Sequence, residues 1–438
     1  MSVPLSKLCK PAPRYTSYPT APEWGDLDEA TYLEHLSNAE APLSLYFHIP
    51  FCKTMCLYCG CSVVLNRRPE NEERYVDYLI REIDLAAAHL QDRRVEQIHF
   101  GGGTPTKLSM PLFQKLYDKI ASTFDISGEV AIEIDPRTVV EDRGRKLRFL
   151  KELGFNRVSF GVQDTNWEVQ KAVKRNQSLE MTQKTYAWAR ELGFEGVNID
   201  LIYGLPFQTA ETFRQTVEHI LEMRPDRISL FSYAKVPWLK KHQKAIKEET
   251  LPSTEEKFQI YQEARAAFVN GGYVAIGMDH FALEEDEIAA CYREKRLCRN
   301  FQGYSAKLAH DQLGFGVTAI GFVQNCYAQN LKTLPDYYKA IDEGKLPVHR
   351  GKVLSQDDIM RKWLIHTIMC DFTLSKREFE QKFNRPFDFP LDDLEGLIEE
   401  SEERIDVTPM GELLIRIIAM RFDAYIRETP EPKFSQSI

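Results

Sequence analysis

Four of the nine cysteines, Cys52, Cys56, Cys59 and Cys61, fall within ten residues. Even spacing of nine cysteines over 438 residues would leave about fifty residues between neighbours. Thiolates packed this densely ask for a metal. The first three stand in a C-x3-C-x2-C spacing, which lets one short loop wrap three thiolates around one face of a 4Fe–4S cubane. Three protein ligands for four irons leave one iron open to bind and act on a substrate, whereas a fourth ligand leaves mainly electron transfer. The alternative is a zinc site made by all four thiols. Zinc knuckles are usually separated by about a dozen residues or more, and the short gaps here would strain a tetrahedron. Thiols that are merely packed do not cluster in this way. Cys61 reads either as a small packed residue or as a part in substrate or electron handling, and it is not counted as a ligand. Cys9, Cys291, Cys298, Cys326 and Cys370 are scattered and read as structural; the odd total argues against a disulfide framework.

The cysteine loop follows a β-rich run at 43–48, and similar runs recur at 95–100, 129–135, 157–162, 197–203 and 227–233. Amphipathic segments lie between them at 73–90, 110–123, 146–153, 181–192 and 210–223. Two end in Leu-Gly-Phe (Leu153-Gly154-Phe155 and Leu192-Gly193-Phe194), where the glycine caps the helix before the next strand. Strands alternating with helices predict six parallel βαβ units. Six are too few for a closed eight-fold barrel, which leaves an open, partial barrel or a doubly wound sheet. In either, ligands gather at the carboxyl ends of the strands. From about 253 the pattern changes to a helix at 255–269, a charged stretch, a Phe301-Gln302 turn and a glycine-spaced run at 313–321. Beyond about 355 the chain reads as mainly helical, with a short turn or strand at 404–408 and a helix over 411–426. A domain boundary is expected near 350.

A formal charge of −9, with 43% apolar and 28% charged residues, predicts a soluble globular protein. It argues against bulk electrostatic binding of nucleic acid or anionic lipid. No run approaches the roughly 18 apolar residues of a membrane helix. The first twenty residues lack an apolar stretch of the signal-peptide kind, so a cytoplasmic protein is expected.

Polar groups stand at the predicted strand ends. Gly101-Gly102-Gly103-Thr104-Pro105 closes the second strand, where backbone without Cβ atoms can approach a bound amino group; a bare glycine run can also be only a turn. Glu133 could accept from an ammonium or a ribose, Gln163 and Asp200 from amides or hydroxyls, and Arg175 could pair with a carboxylate. Each alone could be a solvated or capping residue. His48, on the alternating first strand, reads equally as a hydrogen-bonded core histidine or a catalytic group.

An aromatic, Tyr58, before the third cysteine makes the loop resemble the radical S-adenosylmethionine superfamily. The longer run Y-x-H-I-P-F-C-x3-C-x-Y-C-x-C, residues 46–61, is similar to the oxygen-independent coproporphyrinogen III oxidases of bacterial haem synthesis. That resemblance extends to Arg14-Tyr15-Thr16-Ser17-Tyr18-Pro19-Thr20, His99-Phe100-Gly101-Gly102-Gly103-Thr104-Pro105-Thr106 and Asn198-Ile199-Asp200-Leu201-Ile202-Tyr203-Gly204. It continues through Gly277-Met278-Asp279-His280-Phe281-Ala282, Asn300-Phe301-Gln302-Gly303-Tyr304 and Phe422-Asp423-Ala424-Tyr425-Ile426-Arg427, and so covers nearly the whole chain.

The resemblance implies an α/β fold, a partial (β/α)6 barrel of parallel strands. An N-terminal substrate-covering arm (1–40) would precede the barrel with its extension (41–350), and a mainly helical C-terminal domain (351–438) would follow. It implies one 4Fe–4S cluster on Cys52, Cys56 and Cys59, and two S-adenosylmethionine molecules. The first would meet Tyr46, Gly102, Glu133 and Ile320. The second would meet Tyr58, Gly103, Thr104, Gln163, Arg175, Asp200 and Ala234. Tyr58 stands where some members carry Phe, and either ring can stack. The three cysteines with Tyr46 and Glu133 are the expected catalytic set.

The implied reaction converts coproporphyrinogen III to protoporphyrinogen IX. A 5′-deoxyadenosyl radical takes hydrogen from a propionate β-carbon, and loss of CO2 and one further electron leaves a vinyl group, twice. A flavodoxin- or ferredoxin-type donor and a monomer are expected. Four substrate carboxylates need local cations, for which Arg14 and Arg299 are the candidates. The related haem-binding chaperones are the alternative, but they typically lack the Arg-Tyr-Thr-Ser-Tyr-Pro-Thr arm and carry Phe at the Cys61 position. A zinc-knuckle binding module fails on charge, spacing and the six-unit pattern.

Overall fold

The computed structural model describes residues 10–306, 311–426 and 434–437. Cys9 and Arg427 lie outside the described residues. The six β-rich runs are parallel strands: β1 (Leu43–Ile49), β2 (Arg94–Gly102), β3 (Asp125–Ile134), β4 (Arg157–Gln163), β5 (Gly196–Tyr203) and β6 (Arg227–Ser232). They pair in chain order without a reversal. A doubly wound sheet reverses its strand order, so the partial barrel holds and its alternative does not. Leu43, Leu45, Phe47 and Ile49 of β1 are fully buried on one face, and the Phe47 ring stacks on Phe100 at 5.0 Å and Phe315 at 5.1 Å. Crossover helices include Pro69–Ala87, Met110–Thr123, Leu179–Glu191 and Ala210–Met223. Both Leu-Gly-Phe caps form, with Gly154 at φ +97° and Gly193 at φ +74°. The Phe155 and Phe194 N–H groups then close back on the Leu150 and Ala189 carbonyls at 3.1 and 3.2 Å.

The sheet is wider than six strands. A seventh parallel strand, β7 (Gln312–Phe315), adds to the outer side of β1. Antiparallel strands Ile320–Val323, Cys326–Asn330 and Val348–Val353 follow, and Gly25–Asp26 forms that edge. Beyond β6 lie His280–Leu283 and Tyr273–Ile276, antiparallel. In this 13-stranded order the two edge strands do not meet, so the barrel stays open. A hairpin, Cys298–Asn300 with Gly303–Ser305, turns at Phe301-Gln302 and contributes Asn300, Gln302, Tyr304 and Ser305 to the barrel lumen.

A second apolar cluster joins helix Gln356–Asp371 to Ala12, Tyr15 and Tyr18 of the N-terminal arm. The Arg416 guanidinium ties the two by donating to the carbonyls of Pro13 at 3.0 Å and Ala12. The expected helix over 411–426 is broken into Pro409–Leu413, Ile415–Ala419 and a final turn, Met420–Phe422. Residues 414–419 are buried almost without interruption, which one straight helix against a single core face cannot achieve. The same region carries a three-stranded sheet, Thr373–Ser375, Arg404–Val407 and Ile398–Glu400.

Candidate active site

Strand β1 delivers the chain into the cysteine loop at the carboxyl end of the barrel. Phe51, fully buried against Tyr75 at 5.3 Å, anchors the loop's start. Residues 51–52 pair in parallel with residues 64–65, so the intervening loop leaves and returns at one place. The eight described cysteines are all free thiols. Cys52 Sγ lies 3.4 Å from the Thr104 hydroxyl, and burial pushes its thiol up to about 11. The neighbouring Cys61 side chain brings the Cys59 thiol down to about 7, and Cys59 in turn pushes the Cys61 thiol up.

Two guanidiniums face Cys56 Sγ, Arg175 Nη1 at 3.7 Å and Arg137 Nη2 at 3.8 Å. Asp135 fixes Arg137 through Nε at 3.0 Å and Nη2 at 2.6 Å. Arg175 also donates to the Tyr58 hydroxyl at 3.0 Å, to the Gly161 carbonyl and to Gln177 at 3.1 Å. The segment after β6 covers the loop from outside. His242 and Lys240 donate to the Cys59 and Cys61 carbonyls at 2.8 Å, and Gln243 bridges the carbonyls of Tyr58 and Ala234 at 3.0 and 3.1 Å.

A second group lines the lumen. The His48 Nε2 lies 2.9 Å from the Ser62 carbonyl, an acceptor, so Nε2 carries the proton. His48 Nδ1 must then accept from the Tyr46 hydroxyl at 3.0 Å. Burial lowers the His48 pKa and keeps the ring neutral. Tyr46 stacks on His99 at 6.0 Å, and His99 Nε2 meets Glu133 Oε1 at 3.2 Å. Glu133 Oε2 accepts the Gly102 N–H at 3.2 Å. Asp200 accepts from Ser159 at 2.9 Å and Asn198 at 2.8 Å. Burial, then the charge of Glu133, raises its pKa.

Tyr46, Gly102 and Glu133 are therefore in one bonded network, with Ile320 close by. The Ile320 carbonyl approaches Gly314, the β7 residue opposite Tyr46. Tyr58 and Arg175 form a second group around Cys56. Gln163 reaches it through Gly161, Thr104 through Cys52, and Ala234 through Gln243. Asp200 sits apart from that group, in the lumen wall. The glycines serve chain packing first: a Cβ on Gly102 (φ +111°) would lie 2.6 Å from the His48 ring, and one on Gly103 would lie 2.5 Å from the Pro50 carbonyl oxygen. The Gly103 N–H is taken by the Ile49 carbonyl at 2.8 Å. Sequence reading missed Asp135, Arg137, His99 and Gln243; the Asp-Pro-Arg that follows β3 and the histidine leading into the glycine run were the available signals.

Among the described residues no three His, Cys, Asp or Glu side chains are grouped as a site for one metal ion. The donor chemistry suits a 4Fe–4S cubane. The site has three free thiols on one loop, two guanidiniums to balance thiolate charge, and a loop covered from outside.

The sequence profile of the radical SAM superfamily matches residues 46–220. The oxygen-independent coproporphyrinogen III oxidase of Synechocystis sp. is 41% identical, covering 99% of this chain and 97% of its own length. That of Escherichia coli is 43% identical, covering 97% and 95%. The chain belongs to the oxygen-independent coproporphyrinogen III oxidase family. The solved structure of coproporphyrinogen III oxidase from Escherichia coli, described there as a radical SAM enzyme, superposes with a TM-score of 0.88. It is 41% identical and covers 94% of this chain and 98% of its own. Membership of this radical SAM family brings a 4Fe–4S cluster and S-adenosylmethionine as cofactors. No described helix is long and apolar enough to cross a membrane.

Within the family fold, Arg14 and Arg299 turn toward an acid of the chain itself. Arg14 Nη2 donates to Asp279 Oδ2 at 2.5 Å, and Arg299 Nη1 lies 3.7 Å from Asp279 Oδ1. Arg299 also donates to the Arg14 carbonyl at 3.1 Å and stacks over Tyr304 at 4.4 Å.

Proposed function

We propose that this chain converts coproporphyrinogen III to protoporphyrinogen IX in haem synthesis by oxygen-independent oxidative decarboxylation of two propionates. The observation that carries the reading is the meeting, at one end of the open barrel, of a three-thiol loop faced by two guanidiniums with the Tyr46–His48–His99–Glu133 network. When bound, the cluster and S-adenosylmethionine supply a carbon radical able to take hydrogen from a propionate β-carbon.

The chain's own residues hold and shield. Cys52, Cys56 and Cys59 are the cluster ligands, and Arg137 and Arg175 offset thiolate charge at Cys56. Two molecules of S-adenosylmethionine bind, as the family resemblance implied. Tyr46, Gly102, Glu133 and Ile320 serve the first. Tyr58, Gly103, Thr104, Gln163, Arg175, Asp200 and Ala234 serve the second. Neutral His48 fixes the Tyr46 hydroxyl, and Glu133 offers its carboxylate to cationic or hydroxyl donors. The hairpin at 298–305 and the N-terminal arm keep water from the lumen. Each vinyl requires loss of one hydrogen atom, one CO2 and one further electron.

A one-electron donor of flavodoxin or ferredoxin type serves a monomeric, cytoplasmic enzyme that binds neither nucleic acid nor membrane. Its three parts are the arm (1–40), the barrel with extension (41–350) and the C-terminal domain (351–438). Anaerobic incubation of the iron-loaded protein with coproporphyrinogen III, S-adenosylmethionine and a reductant tests the proposal. Protoporphyrinogen IX supports it; stoichiometric haem binding with no porphyrinogen product would replace the oxidase with a haem chaperone.

A further inference from the structure

A tetracarboxylate substrate needs cations, and the pairing of Arg14 and Arg299 with Asp279 leaves that need open. A cavity of about 400 Å³ lies between the hairpin at 298–305, the strands from Gly321 to Tyr327 and helix Gln356–Asp371. Ser44, Gln97 and Asn300 stand both in its wall and in that of the lumen holding Glu133, His99 and Asp200, so the two spaces adjoin. Lys362 enters the cavity from the helix. Its ammonium lies 3.6 Å from the Phe322 ring centroid and 5.7 Å from that of Tyr327. With the other described residues it makes no hydrogen bond and no ion pair. A half-buried ammonium resting on aromatic faces, without an anion, is set up to receive one.

The acids nearby do not fill that role. Asp311 accepts from the Glu40 N–H, the Gln324 N–H and the Gln324 amide, each at 2.8 Å, which occupies both oxygens. Glu40 stands exposed at the rim. Arg299, which also lines the cavity, keeps a buried Nη1 without a hydrogen bond. Phe301, Phe322 and Tyr327 give the cavity an apolar wall suited to a pyrrole edge.

We propose that this cavity is a carboxylate pocket in which the Lys362 ammonium, backed by Arg299, pairs with a propionate of the substrate. The inference rests on the oxidase reading and names the cation that reading lacks. Burial holds the Lys362 pKa to about 8, partly offset by Cys298 and Asp311. His366, lowered to about 4 by burial and by its cationic neighbours Lys362 and Arg299, stays neutral and does not compete. Pairing is therefore strongest below about pH 8 and weakens as Lys362 deprotonates above it.

The test uses the iron-loaded full chain and coproporphyrin III, the stable oxidised form of the substrate, titrated by fluorescence quenching. Lys362→Met keeps a chain of similar length over Phe322 and should weaken binding about 10- to 100-fold, the range for a charge-assisted hydrogen bond. Lys362→Arg should restore binding to within a few-fold. Wild-type affinity should fall between pH 7 and 9, while the Arg variant stays level. Iron and sulfide content, unchanged in both variants, establishes that they fold. Wild-type affinity in Lys362→Met, or a level wild-type profile from pH 7 to 9, overturns the pocket. Failure of wild-type protein to decarboxylate coproporphyrinogen III would instead overturn the oxidase reading itself.

Discussion

Asp279 is the acid on which the arm, the hairpin and the barrel converge, and replacing it with Asn should show what that convergence is worth. Its carboxylate accepts from Arg14 at 2.5 Å and from His280 Nδ1 at 2.6 Å, with Arg299 at 3.7 Å. Burial would raise its pKa, but Arg299, then His280 and Arg14, outweigh that and hold it well below the usual carboxylate range. At 3.7 Å and an effective dielectric of about 20, attraction to Arg299 alone is about 4–5 kcal/mol before desolvation is counted. Asn keeps the shape and one acceptor but removes the charge. Arg14, 28% exposed, can turn to water; Arg299, at 2%, cannot. Loss of one partner of a buried pair costs about 3–5 kcal/mol, and we expect Asp279→Asn to lose that much unfolding free energy in urea at pH 7. A depressed carboxyl stabilises above its unfolded pKa and loses that contribution as pH falls through the folded value. The gap between the two proteins should therefore be constant from pH 5 to 8 and begin to narrow below about pH 4. Limited proteolysis should cut the N-terminal arm faster in the variant. Stability within about 1 kcal/mol of wild type at pH 7 would refute this account of the hub.

Three further outcomes follow from the same structure. Alanine at Cys52, Cys56 or Cys59 should abolish bound iron and sulfide in anaerobic preparations, whereas alanine at Cys61 should leave both unchanged; loss in the Cys61 variant would make that thiol a ligand. Gly102→Ala, at φ +111° and with its Cβ 2.6 Å from the His48 ring, should destabilise by more than about 2 kcal/mol in urea. Glu82, fully buried, is pushed up to about 7 by burial despite hydrogen bonds from Tyr337, Gly316 and Asn330. Its folded pKa is raised, so its contribution is complete below the unfolded value and is lost as pH passes 7, by about 3 kcal/mol at pH 9. Glu82→Gln should lack that loss, and parallel denaturation curves at pH 5 and 9 check it.

The strands were legible because each of the six is short, apolar and bounded by a helix pattern; Leu-Gly-Phe marked the caps through backbone chemistry alone. β7 was not, since Gln312-Leu313-Gly314-Phe315 is four residues long and its glycine is demanded by the Ile320 carbonyl across the sheet. The break at Leu414 reflects a core surrounding the segment on several sides, which local pattern cannot reveal. The cysteine loop was legible from spacing. Its charge balance was not: Arg137 and Arg175 meet Cys56 across 81 and 119 residues. The partner of Arg14 lies 265 residues away, so no local pattern could reveal that Arg14 and Arg299 both face Asp279.

In the proposed reaction the first bond to break is a C–H bond at a propionate β-carbon. That step is followed with coproporphyrinogen III deuterated at the propionate β-carbons, incubated anaerobically with the iron-loaded chain, S-adenosylmethionine and dithionite. The 5′-deoxyadenosine formed is then weighed by mass spectrometry. One deuterium is expected in that product, appearing together with vinyl groups on the porphyrinogen. Unlabelled 5′-deoxyadenosine with the four propionates intact would mean that no propionate β-hydrogen is taken at this site.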